Sequence, residues 1–253
     1  CSFNMSEQSY NSYVHISPWY DQIMCHVDYA EWAGYISKVL TTHGVAPKKI
    51  IELGAGTCQH ARFLDFGPDS YSLYTDLSYD MLDNAWSKNE LNRACCDMKS
   101  LPFKQSFDLV MLMYDAFNYL VSEYDVEDMF NEVHRVLLPG GFFLFDITTE
   151  YNSESYFLDE SFHEDYGEFE YVRNSWYDPD NRFQHNDFTY FIKGEDGRYS
   201  KITEDHIQKV YSLKTVTTLC KQAGFKMVGT YSGMTMKKPN AKSLRVHLLV
   251  QKI

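Results

Sequence analysis

One segment constrains the fold more than any other. Ile50-Ile51-Glu52-Leu53 runs as a short apolar strand into Gly54-Ala55-Gly56-Thr57-Cys58, and Asp76, twenty residues after Gly56, closes Tyr74-Thr75-Asp76. A strand that empties into a Gly-x-Gly turn, with an acid at the end of the next strand, belongs to an α/β sheet whose carboxyl edge receives a ligand. Glycines at 54 and 56 let the backbone approach that ligand where the next helix begins.

The rest of the chain repeats this grammar. Tyr29, Trp32, Ala33, Ile36, Val39 and Leu40 recur at the spacing of one helical face over 28–43, with Asp28 and Glu31 as a capping box and Gly44 as the stop. Segments 48–53, 71–75, 93–96, 107–113 and 142–147 read as strands, and 58–64, 79–86 and 124–137 as helices, an alternation that predicts a parallel sheet. Leu137-Leu138-Pro139-Gly140-Gly141 stops the last of those helices. After Asp146 the pattern changes: 168–177, 183–193 and 198–211 read as antiparallel strands joined by turn formers, before a helix over 212–223 and strands over 225–231 and 244–252.

With 253 residues and 44% hydrophobic content, one large core is expected, with 1–150 and 205–253 as the main domain and 151–204 as an inserted antiparallel cap over the substrate. Between 151 and 200 stand 14 aromatic residues, 12 acidic and 4 basic, so this segment carries −8 of the formal charge of −12. That balance opposes the phosphate attraction on which nucleic-acid binding depends, and the lysines of Lys237-Lys238-Pro239-Asn240-Ala241-Lys242 read as a solvated loop. Cys1, Cys25, Cys58, Cys95, Cys96 and Cys220 form no C-x-x-C pair and have no histidines at zinc-ligand spacing, so no metal site is expected and the thiols read as reduced in a cytoplasmic protein. No apolar run is long enough to span a bilayer, and no signal-peptide order is seen. The chain begins at Cys1 rather than Met, which leaves the native start undefined.

The cofactor expected at the turn carries adenosine. A dinucleotide fingerprint requires glycine or alanine at 59, where this chain has Gln59. Glu52-Leu53-Gly54-Ala55-Gly56-Thr57-Cys58 instead resembles the first motif of the class I S-adenosylmethionine-dependent methyltransferases, with Cys58 in place of its last glycine. The resemblance continues through Asp76, Cys95-Cys96-Asp97-Met98, the strand and loop Phe107 to Leu120, and Leu137-Leu138-Pro139-Gly140-Gly141. It implies a Rossmann-like, seven-stranded, mostly parallel sheet with a C-terminal antiparallel hairpin strand and an antiparallel insertion after strand five.

It also implies S-adenosyl-L-methionine as cofactor, contacted by Glu52, Gly54, Ala55 and Gly56, by Asp76 at the ribose, by Leu77 and Met81 at the adenine or ribose, by Asp97 and Met98 at the adenine, and by Met113 and Tyr114. Trp19-Tyr20-Asp21 and Tyr29 resemble the branch that includes sugar-amine and glycine-type N-methyltransferases, in which such a segment covers the cofactor. Tyr20 and Tyr29 serve equally well as helix-packing residues.

Methyl transfer from a sulfonium needs alignment above all, because the cofactor brings an activated methyl group. An amine acceptor must also lose its proton, and Asp115, Asn118, Tyr119, His163 and His185 are the candidate groups, the histidines on residue type alone. The acidic, aromatic insertion favours a small cationic or amine-bearing substrate. No nucleic-acid or membrane partner is expected, and the state is monomer or homodimer. The alternatives are a protein or tRNA methyltransferase and a cofactor-binding module without turnover.

Overall fold

The computed structural model describes residues 13–87 and 89–253, so Cys1 lies outside the described residues. Strands β1 (Lys49–Leu53), β2 (Tyr71–Asp76), β3 (Asn92–Cys95), β4 (Phe107–Leu112), β5 (Leu137–Thr148), β10 (Phe225–Ser232) and β11 (Arg245–Lys252) form one sheet in the order β10-β11-β5-β4-β1-β2-β3. Pairing is parallel from β3 to β5, and antiparallel from β5 to β11 and β11 to β10. This is the α/β, Rossmann-like architecture expected. The order reverses beside β1, so β1 and β4 leave their carboxyl ends at the crevice where such sheets hold ligands.

Strand alternation sends side chains into two cores. Ile51, Leu53, Val110, Phe143 and Phe145 pack with Val126, Met129, Phe130 and Val133 of the helix Glu123–Val136, while Ile50, Leu109, Met111 and Leu144 pack with Trp32, Ile36, Val39 and Leu40 of the helix Tyr29–Thr42. Asp28 caps the latter helix by accepting the Glu31 N–H at 2.8 Å. Glu52, between Ile51 and Leu53, therefore lies on the face that this helix covers.

The insertion folds as a second, wholly antiparallel sheet: β6 (Asp159–Asp165), β7 (Phe169–Asp178), β8 (Phe183–Lys193) and β9 (Tyr199–Lys209). Its inner face carries Phe169, Tyr171 and Tyr190, packed against Ile16 and Trp19, with Trp19 stacked on Phe169 at 5.1 Å.

Several boundaries differ from the sequence reading. The helix expected over 58–64 is a single 3-10 turn, Gln59–Arg62, because Cys58 adopts φ 59° and Asp21 takes hydrogen bonds from Thr57 and Gln59. The helix expected over 79–86 ends at Asp83, where Asn84 turns its amide to Asp80 O and Ser17 Oγ. Strand β5 starts at Leu137 rather than 142, since Leu137 pairs with Phe107 ahead of a bulge. Strand β6 and the short helix Glu150–Tyr156 were not anticipated: six of the seven β6 residues are exposed, and neither segment carries an apolar repeat.

Candidate active site

The turn after β1 is built from alternating left-handed residues: Gly54, Gly56 and Cys58 have φ 58°, 56° and 59°. Space as well as conformation requires the glycines. A Cβ on Gly54 would meet Ala116 Cβ at 2.9 Å, and one on Gly56 would meet Met81 Cε at 3.2 Å. Cys58 takes the left-handed conformation without the freedom of glycine, and its thiol is fully buried. The Ala55 N–H donates to Thr75 O at 2.8 Å, which binds the turn to β2.

Asp76 is fixed beside this turn. One carboxylate oxygen accepts the Gly56 N–H and the other the Ser78 N–H, both at 2.8 Å, and a carboxylate oxygen with one bond retains a free lone pair. Desolvation pushes this carboxyl above its ordinary value against the pull of those N–H groups. Met81 is buried next to Gly56, and Leu77 is half-buried. Past β3, Asp97 accepts the Lys99 N–H at 2.8 Å, and Met98 reaches towards Gly54.

Glu52 and His60 form a buried pair under the turn, with Oε1 to Nδ1 at 2.6 Å. Burial opposes the imidazolium, and the Glu52 carboxylate outweighs it, so His60 is held above its ordinary value. Glu52 Oε2 and His60 Nε2 are buried with no hydrogen-bond partner among the described residues. Tyr20, Tyr29, Glu52, Gly54, Ala55, Gly56, Thr57, Gln59, His60, Met113 and Tyr114 surround a narrow cavity at this point.

Opposite the turn, the loop after β4 is held from below. Tyr114 and Asp115 both have positive φ, 60° and 63°, and both donate their N–H groups to the buried Asp146, at 2.6 and 3.2 Å. Arg245 lies between the two acids. It pairs with Asp146 and reaches Asp115 Oδ1 and Oδ2 at 2.6 and 2.8 Å, while its guanidinium covers the rings of Trp32 and Tyr114. Asp115 is thereby committed to an ion pair.

Three of the five candidate proton-handling residues are not where the sequence reading needs them. Asn118 is fully buried, and its amide spans Lys209 O at 2.8 Å and the Thr148 N–H at 3.0 Å, clamping this loop to β9 and β5. His163, opposite Val172, and His185, opposite Trp176, lie on the outer face of the second sheet; His163 is exposed beside Glu170 and His185 stacks on Trp176. Strand parity turns them away from the face that carries Tyr171 and Tyr190.

Tyr119 ends the short 3-10 turn Ala116–Tyr119 after β4 and has partners the sequence reading missed. Its hydroxyl is 2.5 Å from that of Tyr13 and 3.0 Å from His206 Nδ1. His206 and Glu204, on the inner face of β9, are buried, with His206 Nε2 at 3.4 Å from Glu204 Oε2. Glu204 also accepts the Tyr13 and His15 N–H groups, each at 3.1 Å. The available signal was Glu204, His206 and Gln208 at every second position of one strand, a polar stripe on a face that the opposite residues do not require to be wet.

Residues 51–145 match the family model described as a methyltransferase domain. A protein of Geobacillus sp. (strain WCH70), named as a candidate methyltransferase, is 27% identical over 95% of this chain and 100% of its own length. The crystal structure of an S-adenosylmethionine-dependent methyltransferase from Clostridium acetobutylicum ATCC 824 superposes with a TM-score of 0.80 at 24% identity, over 96% of this chain and 98% of that one. The sugar N-methyltransferase KedS8 from Streptoalloteichus sp ATCC 53650 does so with a TM-score of 0.73 at 17% identity, over 92% of each chain. Residues 51–145 thus carry a methyltransferase domain, and the whole chain shares the fold of the S-adenosylmethionine-dependent methyltransferase of known structure from Clostridium acetobutylicum. The matched domain runs from β1 into β5 and so contains the Gly-x-Gly turn, Asp76 and the loop held by Arg245, while the second sheet lies outside it.

Proposed function

We propose that the protein transfers the methyl group of S-adenosyl-L-methionine to a small-molecule acceptor, an amine ahead of a hydroxyl. The observation that carries this reading is Asp76, held by the Gly56 and Ser78 N–H groups at the edge of a turn where any side chain on Gly54 or Gly56 would intrude.

The residues fit that cofactor. Gly54 and Gly56 leave open backbone, and the orphaned Glu52 Oε2 is an acceptor for an ammonium group. Asp76 offers two oxygens to the ribose hydroxyls, Leu77 and Met81 an apolar wall, and Asp97 with the Met98 backbone the adenine contacts. Ala55, Met113 and Tyr114 border the sulfonium end, and Tyr20 and Tyr29 close it from the N-terminal segment. When bound, the cofactor supplies an activated methyl group.

The chain's own part is alignment and water exclusion. Arg245 and Asp146 fix the loop carrying Tyr114 and Tyr119, and Asn118 sets its distance from the second sheet. An amine acceptor is supported by the carboxylates and phenols around the site, and by the likeness to a sugar N-methyltransferase. The segment 151–204, with the rest of β9, acts as the substrate cap.

Calorimetric titration with S-adenosylmethionine and with its demethylated product tests the donor. Micromolar binding to the wild type, lost in Asp76→Ala and absent for NADH, is the expected result. Failure of the wild type to bind either ligand overturns the proposal.

A further inference from the structure

One chain of hydrogen bonds runs from Tyr13 through Tyr119 to His206 and links the N-terminal segment to the second sheet. His206 Nε2 makes no hydrogen bond among the described residues and lies 3.4 Å from Glu204 Oε2, and a carboxylate on that side favours the neutral tautomer with its proton on Nε2, which leaves Nδ1 as an acceptor. Nδ1 then accepts from the Tyr119 hydroxyl at 3.0 Å, and the Tyr119 oxygen accepts from the Tyr13 hydroxyl at 2.5 Å. Every donor points towards His206, and the free lone pair at the open end is on the Tyr13 oxygen. Tyr13 packs edge-on against Tyr20, which lines the cavity beside Gly54 and Gly56.

We propose that Tyr13, Tyr119 and His206, with His206 oriented by Glu204, form a one-way relay that removes a proton from the methyl acceptor. This rests on the methyl-transfer reading above and narrows its substrate to an acceptor that arrives carrying a proton, such as a protonated primary or secondary amine. Tyr13 is the catalytic residue, and Tyr119, His206 and Glu204 act through it.

The step balances. An N–H bond of the acceptor breaks and its proton goes to the Tyr13 oxygen, while the Tyr13 proton passes to Tyr119 and the Tyr119 proton to His206 Nδ1. The lone pair freed on the acceptor nitrogen forms the new bond to the methyl carbon, and the carbon–sulfur bond breaks with its electron pair remaining on sulfur. His206 ends as an imidazolium facing the Glu204 carboxylate. Burial raises both phenols above their ordinary values, so they pass a proton without holding a charge themselves. The titratable groups that face His206 among the described residues are Tyr13, Tyr119 and Glu204; the remaining ring against it is Phe188.

The test uses the full chain, with S-adenosylmethionine as donor and ethanolamine, glycine and glucosamine as acceptor probes. His206→Gln and Tyr119→Phe are expected to bind the donor with wild-type affinity, which shows them folded, and to lose about 100-fold or more in kcat at neutral pH. Their loss is expected to shrink as the pH rises and the amine deprotonates unaided, a pH dependence that a merely structural role does not produce. Nitrogen NMR of the histidines should place the His206 proton on Nε2 and show Nδ1 changing in Tyr119→Phe.

A wild type that does not bind the donor overturns the methyl-transfer reading. Donor binding with wild-type kcat and pH profile in His206→Gln overturns the relay alone. If none of the three amines is methylated, the NMR result decides: a proton on Nδ1 overturns the relay, and one on Nε2 supports it.

Discussion

Glu52 Oε1 and His60 Nδ1 meet at 2.6 Å in the wall of the cavity beside Gly54 and Gly56, with side-chain exposures of only 3% and 7%. Removing one member leaves the other buried without its partner, so His60→Ala should lose about 3 kcal/mol of stability or more. The pH dependence has a defined sign. Because the folded protein holds the His60 proton more tightly than the unfolded chain does, the contribution of the charged pair is whole below the ordinary imidazole value of 6.5 and is lost as the pH rises beyond the folded value. Urea denaturation should therefore show a larger His60→Ala penalty at pH 6 than at pH 9; equal penalties would mean that the pair is not ionised in the native state.

Arg245 holds a second buried charge cluster. With two carboxylates on one guanidinium, Arg245→Met should cost about 3–5 kcal/mol. Arg245→Lys should recover little of that, because a single ammonium cannot fork between Asp115 and Asp146. Adding Asp115→Asn to Arg245→Met should restore part of the loss by removing one unpaired charge. A double variant no more stable than the single one would show that the ion pair with Asp115 contributes nothing. These are equilibrium unfolding measurements and need no substrate.

Gly54 separates two reasons for glycine. Gly54 and Gly233 have similar positive φ, 58° and 52°, but a Cβ on Gly233 meets nothing within 4 Å, whereas one on Gly54 lies 2.9 Å from Ala116 Cβ. Gly233→Ala should cost only the backbone contribution of about 1 kcal/mol, and Gly54→Ala that much plus displacement of the loop carrying Tyr119. Thermal melts together with donor titration distinguish them: Gly54→Ala is expected to weaken donor binding and Gly233→Ala to leave it intact.

The parts of the fold legible in the sequence were those whose pattern is local. Ile50-Ile51-Glu52-Leu53 and Phe107 to Leu112 are near-continuous apolar runs because β1 and β4 are buried on both faces, and the helix over Trp32, Ile36, Val39 and Leu40 declares its single apolar stripe. Strand β6 was illegible because an exposed edge strand needs no apolar residues. Within the site, Asp76 was readable from its spacing after Gly56. His206 and Glu204 were not, since Tyr119 lies 87 residues from His206 and Tyr13 lies 191 from Glu204, and only the folded chain brings them together. His163 and His185 were attractive by residue type, and strand parity, which depends on the register, places them on the other face.

Parity also redistributes the negative charge of the insertion. Asp187 and Asp205 are direct cross-strand neighbours on the outer face, opposite to that of Glu204 and His206. Burial and then the Asp205 carboxylate push Asp187 above its ordinary value, so the folded state binds that proton more tightly than the unfolded chain and stability falls as the pH climbs from 3.8 through the folded value. Asp205→Asn should therefore stabilise the protein at neutral pH by less than about 1 kcal/mol, given the exposure of the pair, and the gain should disappear in acid where Asp187 is protonated. The same variant tests which carboxylates the acceptor meets. If attraction by the whole acidic segment recruits a cationic acceptor, Asp205→Asn raises KM for an amine that the enzyme methylates. If the outer face plays no part in recruitment, KM is unchanged in Asp205→Asn, the outcome expected from its position on that face.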